Sequence, residues 1–293
     1  MSTSAPRVTA LVAAYNASAF IEETLHSIAN QSYSNLTVLI SVDASDDDTA
    51  RRCEQFALAD QRFTVVCQTQ RLGWVRNANE LLRLAQSDLC FFIGHDDLID
   101  QEYVSTLVTA ITQNDQASIA YSDMTYFPSE SQGQTVACMG IDGVTDQLTR
   151  GRVVLQWIPG WWASYRGLFR LDIARAGRPL RSHLGGEYAA DWPFLMYFAL
   201  RGECIRVRQT LYRKRSHAAS LSSTWRGGSL QRMCVSLSCA QVILEADLKK
   251  KTTAVLLTIL AGRLTYLLLR FSAGRVLQLL PKKIRTALAN WIR

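Results

Sequence analysis

Three short clusters of acid and amide side chains stand out as groups able to do chemistry. They are Tyr15-Asn16, Asp43 with Asp46-Asp47-Asp48, and His95-Asp96-Asp97, and each follows an apolar run of strand character. Carboxylates gathered at one place repel one another unless a cation or hydrogen-bond donors stand between them. Such a gathering suits a divalent ion or a donor-rich ligand. Its plainer use is turn chemistry, because Asp and Asn end strands and cap helices. Further along, Asp191 sits among Ala190, Trp192 and Phe194. Lost solvation there raises a carboxyl pKa toward the range of a general base. Glu187 is the nearest rival, and first-turn charge at a helix dipole is the structural alternative for Asp191. His217 follows the cations Arg213, Lys214 and Arg215. That segment suits phosphate oxygens, or else a basic surface loop.

The elements that must position these groups alternate between two periods. Residues 8–15, 36–42, 63–67 and 89–93 read as buried strands, and 18–31, 47–59, 77–85 and 101–111 as helices. A further helical stretch covers 187–200. This alternation predicts an α/β fold, a mostly parallel sheet covered by helices on both faces. Ligands of such sheets bind outside the carboxyl ends of the strands, which nominates the segments after Tyr15, Val42 and Ile93. Neither G-x-G-x-x-G nor G-x-x-x-x-G-K-[ST] occurs. The main phosphate-binding devices of dinucleotide oxidoreductases and P-loop NTPases are therefore missing. A nucleotide would instead be held by carboxylates and a bridging metal.

Charge is distributed unevenly over the 293 residues. The net +7 arises from a tail, since ten Lys or Arg and no acid follow Asp247, leaving 22 basic and 25 acidic residues elsewhere. A diffuse nucleic-acid surface is excluded on that count. Seven scattered cysteines without a C-x-x-C pair fit buried thiols in a reducing compartment. No secretory h-region opens the chain and no 18-residue uncharged apolar run occurs, so a spanning helix is not expected and the location reads as cytoplasmic. Residues 255–271 and 276–292 show helical apolar spacing flanked by cations, with Pro281 starting or kinking the second helix. Such helices suit peripheral attachment to anionic lipid on the inner face of a membrane, or a helical pair packed on the domain.

The motifs taken together resemble family 2 glycosyltransferases with the GT-A fold. Val12-Ala13-Ala14-Tyr15-Asn16, Ser27-Ile28, Gln31-Ser32-Tyr33, and Val42-Asp43-Ala44-Ser45 with Asp48-Thr49 resemble that family's opening. Gly73-Trp74-Val75-Arg76-Asn77 and Phe92-Ile93-Gly94-His95-Asp96-Asp97 resemble its helix and its D-x-D-type strand end. Ala190-Asp191-Trp192 resembles the catalytic-base helix, and Arg215-Ser216-His217 with Ser220 the closing R-x-H-x-x-S element. The resemblance spans roughly 7–225. Three departures accompany it: Ala14 replaces a common proline, glycine precedes a shortened acidic motif, and no Q-x-x-R-W processive signature is present.

The resemblance implies an inverting transfer of sugar from a nucleotide diphosphate, UDP-linked, to a glycan or lipid-linked acceptor in bacterial surface polysaccharide assembly. It implies Asp97 as ligand of a Mn²⁺ or Mg²⁺ ion, His217 as second ligand or diphosphate contact, and Asp96 as acceptor from ribose hydroxyls. Asp191 becomes the general base and Asp43 the acceptor of a uracil N3–H, with Tyr15 and Asn16 beside the base. Arg76 reaches base or phosphate, or else is a solvated helix arginine. Trp157, Trp161, Trp162 and Trp192 form an acceptor wall or core packing. Residues 1–120 would bind donor, 121–225 acceptor and catalyst, and 226–293 form a basic helical extension. A catalytically silent sugar-nucleotide-binding or scaffold protein of the same fold is the alternative.

Overall fold

The computed structural model describes residues 5–128, 135–176, 180–217, 220, 225 and 227–279. The first half builds β1 (Val8–Ala14), α1 (Ile21–Ala29), β2 (Leu36–Val42), α2 (Thr49–Ala59), β3 (Phe63–Cys67), α3 (Trp74–Leu84) and β4 (Leu89–Gly94). Then come β5 (Leu98–Ile99), α4 (Tyr103–Thr112), β6 (Ala117–Phe127), β7 (Thr135–Val136), α5 (Gln147–Leu155), α6 (Trp162–Tyr165), β8 (Leu168–Arg170) and α7 (Leu171–Arg175). The chain continues through α8 (Asp191–Ala199), β9 (Glu203–Arg215), α9 (Ser229–Glu245) and α10 (Lys250–Leu279).

Among the described residues one sheet runs β3-β2-β1-β4-β8-β6-β9-β5, with β7 on β6. Strands β3, β2, β1 and β4 are parallel, as the sequence period predicts, with Val8 opposite both Leu36 and Leu89. β1 and β4 are buried almost throughout, because helices cover both faces and leave no wet side. β8 then enters antiparallel to β4 and to β6, and β9 pairs with β6 in parallel through three irregular steps. The result is the mixed α/β fold expected from the sequence, with β9 returning the C-terminal half past the end of β4.

α8 is buried at every one of its nine positions. Pro193 is tolerated there because it falls in the first turn, where its missing N–H has no helical partner to lose. The other end is fastened by Arg150, whose Nε donates to the Ala199 carbonyl at 2.6 Å, and by Gln147 Nε2 on the Leu200 carbonyl at 2.7 Å. The helix that carries Asp191 is thus fixed at its far end by α5.

The tail differs from the two-helix expectation. α10 runs unbroken from Lys250 to Leu279, and Pro281 with the remainder of the second expected helix lies outside the described residues. Leu256 and Leu260 are buried, and Leu256 packs over Gly151 of α5. Arg263, the only charge between Thr252 and Leu269, turns inward to donate to the Leu155 carbonyl and stands 4.7 Å over the Trp157 ring. Burial pulls its pKa down to about 10. The expectation of no spanning-length helix is therefore corrected: Lys250–Leu269 is long and apolar enough to cross a membrane, with a mean hydropathy of 1.7. The sequence criterion demanded an uncharged run, whereas one inward-facing arginine leaves the outer face without charge.

Candidate active site

The carboxyl ends of β1, β2 and β4 open onto a cavity of about 890 Å³. Tyr15, Asn16, Asp43 and Asp96 line it from those strand ends, while Asp191 and His217 reach it from the C-terminal half. Six of the expected residues thus share one space. Asp97 and Arg76 do not.

Asp43 is 1% exposed. Its Oδ1 accepts the Leu72 N–H at 2.6 Å and its Oδ2 the Gly73 N–H at 2.9 Å, fixing the entry to α3. Arg71 adds an ion pair at 3.4 Å and lays its guanidinium 3.0 Å from the Tyr15 ring centre. Oδ1, with the Leu72 N–H as its one donor, keeps a further lone pair for a base edge. Asp47 and Asp48 do turn chemistry instead. Asp47 accepts from the Thr49 and Ser18 amides, and although burial pushes its pKa up, these bonds hold it down to about 2.

The end of β4 explains its glycine. A Cβ on Gly94 would stand 2.5 Å from Asp97 Oδ2 and 2.8 Å from Asp96 Oδ1, so both carboxylates fold back over this residue. They then part. Asp97 is wholly buried; Tyr212 Oη donates to its Oδ2 at 2.6 Å and the Arg215 N–H to its Oδ1 at 2.9 Å, with Arg166 3.8 Å away. The oxygens of Asp97, the expected metal ligand, thus face β9 and not the cavity. Asp96 faces the cavity, its Oδ2 2.7 Å from His217 Nε2. Burial pushes the Asp96 pKa up, but His95, His217, Lys214 and Arg166 outweigh it and hold the carboxyl below its ordinary value.

The cations are fewer than the sequence suggests. Arg215 donates to the Asp96 carbonyl at 2.9 Å, pairs with Glu23 and lies against Phe20 and Phe127, so it is a clamp. Arg213 lies 5.7 Å from the Phe127 ring centre, and of this trio only Lys214 lines the cavity. Arg76, read as a base or phosphate contact or else a solvated helix arginine, is exposed on α3 and outside this cavity. α3 begins at Trp74, three residues before the expected start, and two residues along a helix turn a side chain through about 200°. Trp74 therefore lines the cavity, while Arg76 points into a separate cleft.

Asp191 opens α8 and is 8% exposed. Its Oδ1 is buried without a hydrogen-bond partner among the described residues. Burial raises its pKa to about 6, against the pull of Arg166 and Lys214. The rival Glu187 accepts the Val75 N–H at 3.1 Å and covers Gly73, which makes it a cap for α3 outside the cavity lining. Trp157 stacks on Trp192 at 4.3 Å and 18°, and Trp161 meets Trp192 edge-on at 4.3 Å. Trp157, Trp161 and Trp162 reach the cavity, whereas Trp192 is packed at 1% exposure. Arg71, Arg166, Trp74 and Trp225 also line it and escaped the sequence reading. Only Arg71 and Trp74 had a local signal, the turn before α3.

Asp96 Oδ2 and His217 Nε2 place two donor atoms at one point of the cavity. A Mg²⁺ or Mn²⁺ ion held by one or two protein groups and substrate phosphates requires no more of the chain. No all-protein cage of three or more His, Cys, Asp or Glu exists among the described residues. The residues present therefore fit an ion that arrives with a diphosphate.

Comparison with known proteins shows the family and the type of fold. The chain is 30% identical over 226 residues to the putative glycosyltransferase EpsH of Bacillus subtilis, covering 74% of this chain and 62% of that one. The first curated relatives it matches are longer: it spans 34%, 62% and 32% of their lengths. The crystal structure of S. aureus TarS 1-349 in complex with UDP-GlcNAc superimposes with a TM-score of 0.69 at 18% identity, over 88% of this chain and 72% of that one. A mannosyltransferase from Pyrobaculum calidifontis in complex with GDP-Man and Mn²⁺ gives 0.51 at 18% identity, over 97% and 83%. Both likenesses show the GT-A type of fold. Residues 9–170, more than half of the chain, match the model of glycosyl transferase family 2, and the chain belongs to that family.

Proposed function

We propose that this protein is a metal-dependent, inverting glycosyltransferase acting in bacterial surface polysaccharide assembly. Its donor is a UDP-linked sugar, and its acceptor a hydroxyl of a glycan or lipid-linked saccharide. The observation that carries the reading is Asp191, a buried carboxyl with one unpartnered oxygen and a pKa raised to about 6, in the same cavity as the Asp96–His217 pair. A base poised near neutral pH takes a hydroxyl proton efficiently. Attack in line with the departing diphosphate then inverts the anomeric carbon.

Asp96 and His217 would hold the ion, which supplies neutralising charge to the leaving diphosphate. Lys214 and Arg166 add fixed positive charge from the cavity wall. Asp43 accepts from the base edge, with Tyr15 and Arg71 offering a flat surface beside it. The tryptophan wall suits the apolar C–H face of an acceptor sugar. Residues 1–120 thereby serve the donor's nucleoside, and 121–225 supply the catalytic base, the cations that meet the diphosphate and the acceptor wall. The chain works at the cytoplasmic face of a membrane, where α10 presents Tyr266, Leu268 and Leu269 outward.

The test is incubation with a panel of nucleotide sugars and lipid-linked acceptors, with and without Mn²⁺, followed by mass analysis of products. Metal-dependent transfer from a UDP-sugar is the expected result. UDP binding without transfer from any donor would instead establish the silent scaffold.

A further inference from the structure

α3 has a second side. Arg76, Arg83, Arg175 and Arg181 line a cleft of about 740 Å³ between α3, α7 and α9, apart from the catalytic cavity. Arg83 pairs with Glu80, Arg181 pairs with Glu245, and Arg175 donates to the Leu82, Arg83 and Ala85 carbonyls at the end of α3, whereas Arg76 has no carboxylate at ion-pair distance among the described residues. Gln241 of α9 closes the cleft. On the same face of α9 stand Leu230, Leu237 and Leu244, seven residues apart and 58%, 51% and 64% exposed. Their spacing puts them in one row along the helix. The turn carrying Leu184, 99% exposed, lies against the start of that row, since a Cβ on Gly185 would stand 3.3 Å from the Gln231 Cα.

We infer that this face, the Leu184–Leu230–Leu237–Leu244 row with its arginine cleft, docks on an anionic phospholipid bilayer. An isolated exposed leucine is ordinary, but four in a row beside a cleft lined by four arginines are not. The leucines enter the acyl boundary and Arg76, with the exposed Arg83 beside it, takes phosphate oxygens of headgroups, to which a guanidinium offers paired N–H donors. Charge selects this occupant over a second copy of the chain: pairing two such rows about a two-fold axis would bring two cationic clefts together. Docking here also sets the catalytic cavity beside the membrane, because Trp74 lines the cavity while Val75 and Arg76 line the cleft. The surface is independent of α10 and of sugar transfer.

The full chain is tested by flotation with vesicles of phosphatidylcholine alone or with roughly one-third phosphatidylglycerol, in the absence of donor. Binding should require the anionic lipid and weaken at high salt. Leu184→Ser/Leu237→Ser/Leu244→Ser should lower partitioning at least about tenfold, and Arg76→Gln/Arg83→Gln should do so on anionic vesicles only. All five positions lie at the surface, and unchanged thermal unfolding verifies the fold. Unchanged flotation of both variants overturns the inference and leaves α10 as the anchor. A wild-type dimer that the leucine variant dissociates on sizing also overturns it, in favour of a second copy. Donor turnover is assayed separately, so failure of the transferase reading does not bear on this surface.

Discussion

Replacing Asp191 by Asn should move turnover and stability in opposite directions. A general base contributes typically 10²–10⁴-fold, so turnover should fall at least about a hundredfold while UDP affinity changes little. The structural side is worked from burial. The carboxyl rises from 3.8 to about 6, since its ionised form is poorly solvated in the fold. At 1.36 kcal/mol per pH unit, this amounts to ~3 kcal/mol against the folded state once Asp191 is ionised. The direction follows from proton binding: between these values the native state holds a proton that the unfolded state has lost. The contribution is therefore complete below pH 3.8 and is lost as pH rises through about 6. Asn carries no charge to bury, so at neutral pH the variant should melt ~5 °C higher than wild type.

Thermal scans from about pH 4 to pH 8, without metal or nucleotide, measure the effect, and the difference should close toward the acid end. Arg166, Lys214, Asp96 and His217 face the same cavity and remain common to both proteins. In the wild type, kcat/KM should rise to a plateau above about pH 6. Glu187→Gln is the control: it weakens a cap on α3 and should cost about 1 kcal/mol with little change in turnover. A variant at Asp191 that is both less stable than wild type at neutral pH and normally active would refute the reasoning. The carboxylate would then be an ion partner of Arg166.

Three further outcomes test the rest of the site. Asp96→Ala should abolish the metal dependence of UDP binding by calorimetry with little loss of stability. Asp97→Ala should instead lower stability by about 3–5 kcal/mol, because Arg166 and Tyr212 lose their buried partner. Gly94→Ala should damage both readouts, since its new methyl group would meet the two carboxylates at 2.5 and 2.8 Å; normal nucleotide binding would show that the turn relaxes freely. Truncation after Asp247 exposes the seats of Leu256 and Leu260, each worth roughly 1.5–3 kcal/mol, and should lower the melting temperature or the soluble yield.

The parallel half of the sheet was legible because its signals are local. Strands buried on both faces, as β1 and β4 are, are continuous apolar runs bounded by turn residues, and the more exposed β2 and β3 also begin and end where their sequence runs do. The antiparallel partners β8 and β5 are three and two residues long, too short for any period to register. Helical spacing over 187–200 started early because a Glu and a Tyr fit the pattern, yet Ala189 takes a φ of 49° and α8 opens only at Asp191. The site divides in the same way. Residue types at strand ends announced the cavity, but past a strand end the alternation of faces lapses. Which of two adjacent aspartates turns inward is then settled by whatever arrives to meet it. For Asp97 those partners, Tyr212 and Arg215, are 115 and 118 residues away. Once they hold Asp97, the room left by Gly94 leaves Asp96 only the cavity side. The motif specified two carboxylates, and β9 decided which one could meet a ligand.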